Sequence, residues 1–176
     1  MHKIFNFIFG AFLIMSSVQS FGSSDSNRIE IQLKDGPVLI ELYPDKAPEH
    51  VKRIKELASE GFYNGIVFHR VIGGFMAQTG DPTGTGMGGS SKPNLNAEFN
   101  DIKFERGVLG MARSMNPNSA NSQFFIMFAS APHLNGEYTA FGKVISGMEH
   151  VDAIKKGSGG NGEVKDPDKM ISVKVL

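Results

Sequence analysis

Between Arg28 and Leu42, apolar side chains fall on every second residue on both sides of the dipeptide Asp35-Gly36: Ile29, Ile31 and Leu33 before it, Val38, Ile40 and Leu42 after it. A period of two places all six on one face of an extended chain. Asp-Gly is a favoured two-residue turn, because its central positions need positive φ. The stretch therefore predicts an antiparallel hairpin with one face toward a core, ended by Pro44.

The remaining periodicities fit the same plan. A helix is expected from Pro48 to Glu60, with Pro48 in its first turn, Val51, Ile54 and Leu57 facing the core, and Gly61 as its C-cap. A shorter one is expected from Met148 to Lys156, with Met148, Val151 and Ile154 on one face and Gly157 as its stop. Ile171, Val173 and Val175 alternate as a closing strand. With 176 residues, 40% of them hydrophobic and 14 of them phenylalanine, the chain fills a single core. Pattern alone predicts a mainly β, β-rich α+β domain.

Phe68 to Asp81, FHRVIGGFMAQTGD, carries the chemistry. Residues 66–72 read as a strand, with Ile66, Phe68, Arg70 and Ile72 on one face and Val67, His69 and Val71 on the other. Gly73-Gly74 permits a bend, and 75–79 resumes extended with Met76 and Gln78 on a shared face. A guanidinium is always charged and offers planar donors. Placed among Phe68, Phe75 and Met76 it is costly unless an acceptor uses it. It then reads either as the polar fixture of a mostly apolar pocket or as a cap on a sheet edge or the partner of a carboxylate such as Asp81. His69 alternates to the opposite face and is expected to be structural.

A second segment, GVLGMARSMNPNSANSQFFIMF from Gly107 to Phe128, is a short apolar strand, a polar turn and another strand. Together with FHRV, GFMAQTGD and FGKV at Phe141–Val144, in that order, it resembles the cyclophilin family of peptidyl-prolyl cis/trans isomerases in its compact bacterial form, from about Arg28 to the C-terminus. The resemblance implies a closed eight-stranded antiparallel β-barrel capped by two α-helices. It implies Arg70 as the catalytic arginine and Gln78 as the residue that orients it. Phe75, Met76, Phe125 and Leu134 would form the proline pocket, and Ala112, Arg113 and Gln123 the adjoining peptide groove. His133 stands where many eukaryotic members have a tryptophan, Tyr138 where many have a histidine, and Arg113 where many have an asparagine. The chain has no tryptophan, so the indole donor expected to favour cyclosporin-type inhibitors is missing.

Other chemistries are poorly supplied. The sequence has no G-x-S-x-G, H-E-x-x-H or P-loop lysine motif, zero cysteines, and five histidines far apart at 2, 50, 69, 133 and 150. No cofactor and no metal are expected. Gly84–Gly89, GTGMGG, formally satisfies a dinucleotide fingerprint, but Ser90, Ser91, Lys92, Pro93 and Asn94 follow where a helix is required. It reads as a mobile surface loop flanking the pocket. The competing function is a proline-binding chaperone or scaffold with little turnover, which would not need a donor aimed at nitrogen.

His2 and Lys3 precede a twelve-residue, largely apolar run from Ile4 to Met15, then Ser16, Ser17, Val18, Gln19 and Ser20. That is the layout of a secretory signal peptide over residues 1–20, too short to span a bilayer. A short linker over 21–27 and an isomerase domain over 28–176 complete the expected organisation. The 18 basic residues balance 18 acidic ones, and removing residues 1–20 deletes only Lys3, so neither nucleic acid nor stable membrane insertion is expected. An exported, cysteine-free monomer of the bacterial periplasm, acting on proline-containing polypeptides, is the expectation.

Overall fold

The computed structural model describes residues 26–176. The expected signal segment and nearly all of the expected linker lie outside the described residues. Eight strands and two α-helices follow in the order β1 (Arg28–Leu33), β2 (Gly36–Leu42), α1 (Pro48–Ser59), β3 (Arg70–Ile72), β4 (Met76–Thr79), β5 (Val108–Met111), β6 (Phe124–Met127), β7 (Ala140–Ser146), α2 (Met148–Asp152) and β8 (Ser172–Val175). The strands form one curled antiparallel sheet ordered β3-β4-β6-β5-β7-β2-β1-β8. Its edges, β3 and β8, do not share a ladder. The seam is spanned by a Val67–Lys169 bridge and by hydrogen bonds from Phe68 N–H to Asp168 O at 2.8 Å and from Gly65 N–H to Met170 O at 2.7 Å.

The period-two pattern of the first hairpin is realised in full. Ile29, Ile31, Leu33, Val38, Ile40 and Leu42 are all buried in the barrel interior, and Arg28–Leu33 pairs with Gly36–Glu41 around the turn. Helix α1 covers one end with Val51, Ile54 and Leu57 inward. Its N-cap, Ala47, has no capping side chain. The first-turn donors are satisfied from a distance instead, with Glu49 and His50 N–H reaching the Glu98 carboxylate at 3.1 and 3.0 Å. The helix stops as expected. Gly61 takes φ of 70°, Gly61 N–H bonds Ala58 O and Phe62 N–H bonds Leu57 O, a Schellman termination.

Three expectations shift. The second helix ends at Asp152 rather than Lys156, because Lys155 N–H is taken by Asp168 Oδ2 at 2.8 Å and Gly157 N–H by Val71 O at 2.9 Å, which pulls the chain onto β3. Of the strand expected over 66–72, only Arg70–Ile72 joins the ladder; residues 66–69 lie along the irregular seam. Ile171 is about half exposed, since β8 begins only at the next residue.

A second apolar cluster lies on the outer face of β4, β5 and β6. Met76, Val108, Phe125 and Met127 meet Phe104, Ala131 and Leu134 there, while Ala77, Leu109, Phe124 and Ile126 alternate into the barrel. Burial on both faces is why FFIM reads as an unbroken apolar run. This outer cluster is the floor on which the candidate site is built. No helix among the described residues is long and apolar enough to cross a membrane.

Candidate active-site groove

The hairpin of β3 and β4 turns at Gly73-Gly74, where Gly74 takes φ of 74°, a conformation that disfavours side chains. Its register sets Arg70 opposite Gln78 and Ile72 opposite Met76, and β4 in turn sets Gln78 opposite Phe125 on β6. Residues opposite one another share a face. A cation, an amide and an aromatic ring therefore stand in a row across three strands.

The guanidinium of Arg70 is held at two points. Nε donates to Asn161 O at 2.8 Å and Nη1 to Gln78 Oε1 at 3.2 Å. Gln78 Nε2 donates to Gln123 Oε1 at 2.9 Å, and Gln123 Nε2 donates to Gly86 O and Gly88 O at 3.0 and 2.8 Å. Each amide is thereby oriented, and among the described residues Nη2 of Arg70 has no partner. No carboxylate among them forms an ion pair with Arg70. Asp81, the candidate partner, is 1% exposed and committed elsewhere. Its oxygens accept from the N–H groups of Thr83, Gly86 and Gly88 and from the Thr83 hydroxyl. Burial works to raise its pKa, but those four donors, Gly88 foremost, hold it at about 2.

Beside the guanidinium opens a cavity of about 460 Å³, lined by Arg70, Phe75, Met76, Gln78, Ala112, Arg113, Phe125, His133, Leu134, Glu137 and Tyr138. Its rings are locked by their neighbours. Phe75 lies 5.8 Å from His133, Phe125 packs edge-on against Tyr138 at 5.8 Å, and Phe104 backs Phe125 at 5.7 Å. A Cβ at Gly110 would meet Phe125 Cζ at 2.4 Å, so the glycine makes room for that ring. Pro132 starts a 3-10 turn through Leu134 that brings His133 and Leu134 to the rim. The result is an apolar wall flanked by the guanidinium groups of Arg70 and Arg113, a seat for a compact apolar group beside an atom that accepts a hydrogen bond.

A neighbouring cavity of about 450 Å³ shares Gln78, Ala112 and Arg113 with the first and adds Gln123, Asn121 and the glycine loop 86–89. That loop precedes no helix, and the N–H groups of Gly86 and Gly88 turn inward to Asp81 rather than outward to a phosphate. Asp81 and Gln123 hold it from beneath through Gly86 and Gly88.

Ten of the eleven residues singled out from sequence line the first cavity, and Gln123 lines the second while supporting Gln78. Phe68 does not join them. It is fully buried in the barrel interior together with Val71, since the seam breaks the two-residue alternation between them. His69 is packed inside near Gly86, both ring nitrogens without partners among the described residues, and burial lowers its pKa. Sequence reasoning missed Glu137 on the cavity wall, although it adjoins Tyr138 in the chain. It also missed the Asn161 carbonyl, for which a backbone acceptor leaves no signature.

Comparison with known proteins points one way. The family model described as "Cyclophilin type peptidyl-prolyl cis-trans isomerase/CLD" matches residues 28–175. A Brucella suis protein named "Probable peptidyl-prolyl cis-trans isomerase" is 54% identical, the match covering 93% of this chain and 90% of that one. An Arabidopsis thaliana peptidyl-prolyl cis-trans isomerase is 46% identical over 73% of this chain and 82% of its own. A cyclophilin type peptidyl-prolyl cis-trans isomerase of Cryptosporidium parvum, solved in the presence of the dipeptide ala-pro, superposes with a TM-score of 0.77 at 34% identity, covering 85% of this chain and 98% of that chain.

Proposed function

The chain belongs to the cyclophilin-type peptidyl-prolyl cis-trans isomerase family, and from that premise we propose which of its groups turn the X-Pro bond, on which chains, and where. The peptide bond resists rotation by roughly 18–20 kcal/mol because nitrogen donates its lone pair into the carbonyl, and unaided X-Pro exchange takes tens to hundreds of seconds. Twisting the amide returns the lone pair to the prolyl nitrogen, which becomes an acceptor only then. A donor fixed beside it binds the twisted state selectively, and selective binding is what accelerates a step.

Arg70 is that donor. Phe75, Met76, Phe125 and Leu134 seat the ring, and Gln78 holds the guanidinium so that little reorganisation accompanies rotation. A gain of about 10²- to 10⁵-fold, the range needed for ordinary turnover, corresponds to roughly 3–7 kcal/mol. A charge-assisted hydrogen bond made only in the twisted state, together with a dry wall favouring the less polar amide, is of that size. The observation that carries the reading is the Arg70 guanidinium, which lines the cavity and is secured by Gln78 and Asn161, with Nη2 unpartnered among the described residues.

The substrates are extended proline-containing polypeptides. The Cryptosporidium relative was solved in the presence of ala-pro, and the two adjoining cavities suit a chain that continues past the proline. The apolar run Ile4–Met15 followed by Ser16-Ser17 supports export to a bacterial periplasm, where the enzyme, a monomer, speeds folding of exported chains limited by X-Pro rotation. NMR exchange on a short X-Pro peptide tests the mechanism. Arg70→Ala is expected to lose most of the turnover with a modest fall in peptide affinity, and equal exchange in variant and parent refutes the assignment. Cell fractionation with N-terminal sequencing tests the location, which an uncleaved cytoplasmic chain would overturn.

A further inference from the structure

The wall between the two cavities carries a cation that rotation itself does not need. Arg113 lines both. Its Nε and Nη2 donate to Glu137 O at 3.2 and 2.7 Å, Nη1 donates to Ser114 O at 2.9 Å, and its guanidinium carbon stands 4.5 Å from the centre of the Tyr138 ring. Three of five N–H donors are used and two are left. The planar group is therefore fixed in place before any ligand arrives, which lowers the ordering cost of binding.

The charge is not neutralised where it stands. Among the described residues no carboxylate forms an ion pair with Arg113. The other twelve residues lining the 450 Å³ cavity are all uncharged, and the side-chain donors of Ser90, Ser119 and Asn121 among them are taken by Asn121 Oδ1, Asn116 O, Lys92 O and Asn94 Oδ1. Glu137 lines only the proline cavity. Asp81 lies behind the glycine loop, its oxygens filled by that loop's N–H groups. A half-buried cation resting on neutral carbonyls, facing a polar cavity with no anion of its own, is complementary to a carboxylate supplied from outside.

We infer that Arg113 makes this enzyme prefer proline segments bearing an acidic side chain close to the proline, seated in the cavity on the far side of Arg113. The inference rests on the reading of the adjoining cavity as the seat of the proline ring. An extended chain advances about 3.3–3.6 Å per residue, so a side chain one or two residues from the proline reaches past the shared wall. For an exposed-rim, charge-assisted contact the expected preference for Glu over Lys is about three- to tenfold, shrinking as salt screens it.

The test uses matched peptides with Glu, Gln or Lys at each position within two residues of the proline. NMR exchange gives kcat/KM and calorimetry gives affinity, for the wild type, Arg113→Gln and Arg113→Glu. The wild type should favour Glu at one or two positions, the contrast should vanish in Arg113→Gln, and it should invert in Arg113→Glu. The same Glu-to-Lys ratio in the wild type and Arg113→Glu overturns the inference. Should the wild type turn over none of the peptides, the catalytic reading fails alone, and the calorimetric ratios still decide the charge preference. If a variant does not fold, the wild-type ratio at low and high ionic strength decides, an unchanged ratio counting against it.

Discussion

Arg70 and Gln78 face each other across the β3–β4 ladder, and Gln78 Oε1 accepts a 3.2 Å hydrogen bond from Arg70 Nη1. The amide is oriented in turn by Gln123, and Gln123 by the carbonyls of Gly86 and Gly88. A side chain with four rotatable bonds is thus positioned by a relay that ends in backbone. Preorganisation of this kind matters to the rate because the donor need not be gathered as the amide twists.

Breaking the relay at Gln78 should therefore reduce the rate more than the binding. For Gln78→Met, similar in volume but without the acceptor, we expect kcat to fall about tenfold with KM little changed. Stability should stay within about 1 kcal/mol, because the position is only half-buried. NMR exchange at several peptide concentrations separates the two parameters; an unaltered kcat would show that Arg70 needs no such support.

The Asp81 carboxylate is expected to make the protein acid-sensitive. Its folded pKa is about 2, below the ordinary 3.8, despite burial and because of the Gly88, Thr83 and Gly86 donors. A depressed carboxylate pKa contributes stability that is whole above the unfolded value and is lost as pH falls toward the folded one. Nearly two pKa units amount to about 2 kcal/mol. Urea unfolding should show this contribution in full above about pH 5 and disappearing toward about pH 2, and Asp81→Asn should have lower stability near neutral pH with a flatter acid limb. An acid limb of the parent's steepness in the variant would assign the effect to other groups.

Gly110→Ala should distort the wall proposed to seat the proline ring. The new Cβ would lie 2.4 Å from Phe125 Cζ and 2.6 Å from Phe104 Cε1, both within a buried cluster whose rings have little room to retreat. Overpacking of this kind costs about 1–3 kcal/mol, and displacing Phe125 should raise KM for proline peptides. Thermal unfolding together with KM checks both, and a variant with the parent's Tm and KM would mean the rings slide aside freely.

His133 stands over Phe75 at 5.8 Å, where a tryptophan would offer an indole N–H. Weak inhibition by cyclosporin is expected for the parent, and stronger inhibition for His133→Trp. Inhibition that does not change between the two would remove the indole argument.

Much of this protein is written in short-range pattern. The hairpin around Asp35-Gly36, helix α1 with its Gly61 terminus, and the apolar strand Phe124–Met127 each follow from patterns that one segment carries by itself. The family resemblance carried by the motifs around Arg70, Gln78 and Phe125 named the residues that line the groove. Phe68 escaped this reading because alternation holds only inside a continuous ladder, and residues 66–69 lie on the seam.

The sequence by itself determined which residue types were present and, where the pattern is continuous, which segments would be strands, helices and turns, since these depend on neighbours a few positions apart; the end of α2 and the course of residues 66–69 were set by long-range bonds instead. Tertiary structure alone decided what each polar group touches: that Arg70 leans on the carbonyl of Asn161, 91 positions away, that Asp81 serves the glycine loop and not the arginine, and that Arg113 faces a cavity without an anion. Those outcomes depend on which backbone carbonyls and amides the closing of the sheet brings together. Every residue except proline carries both groups alike, so the letters of the chain do not distinguish them.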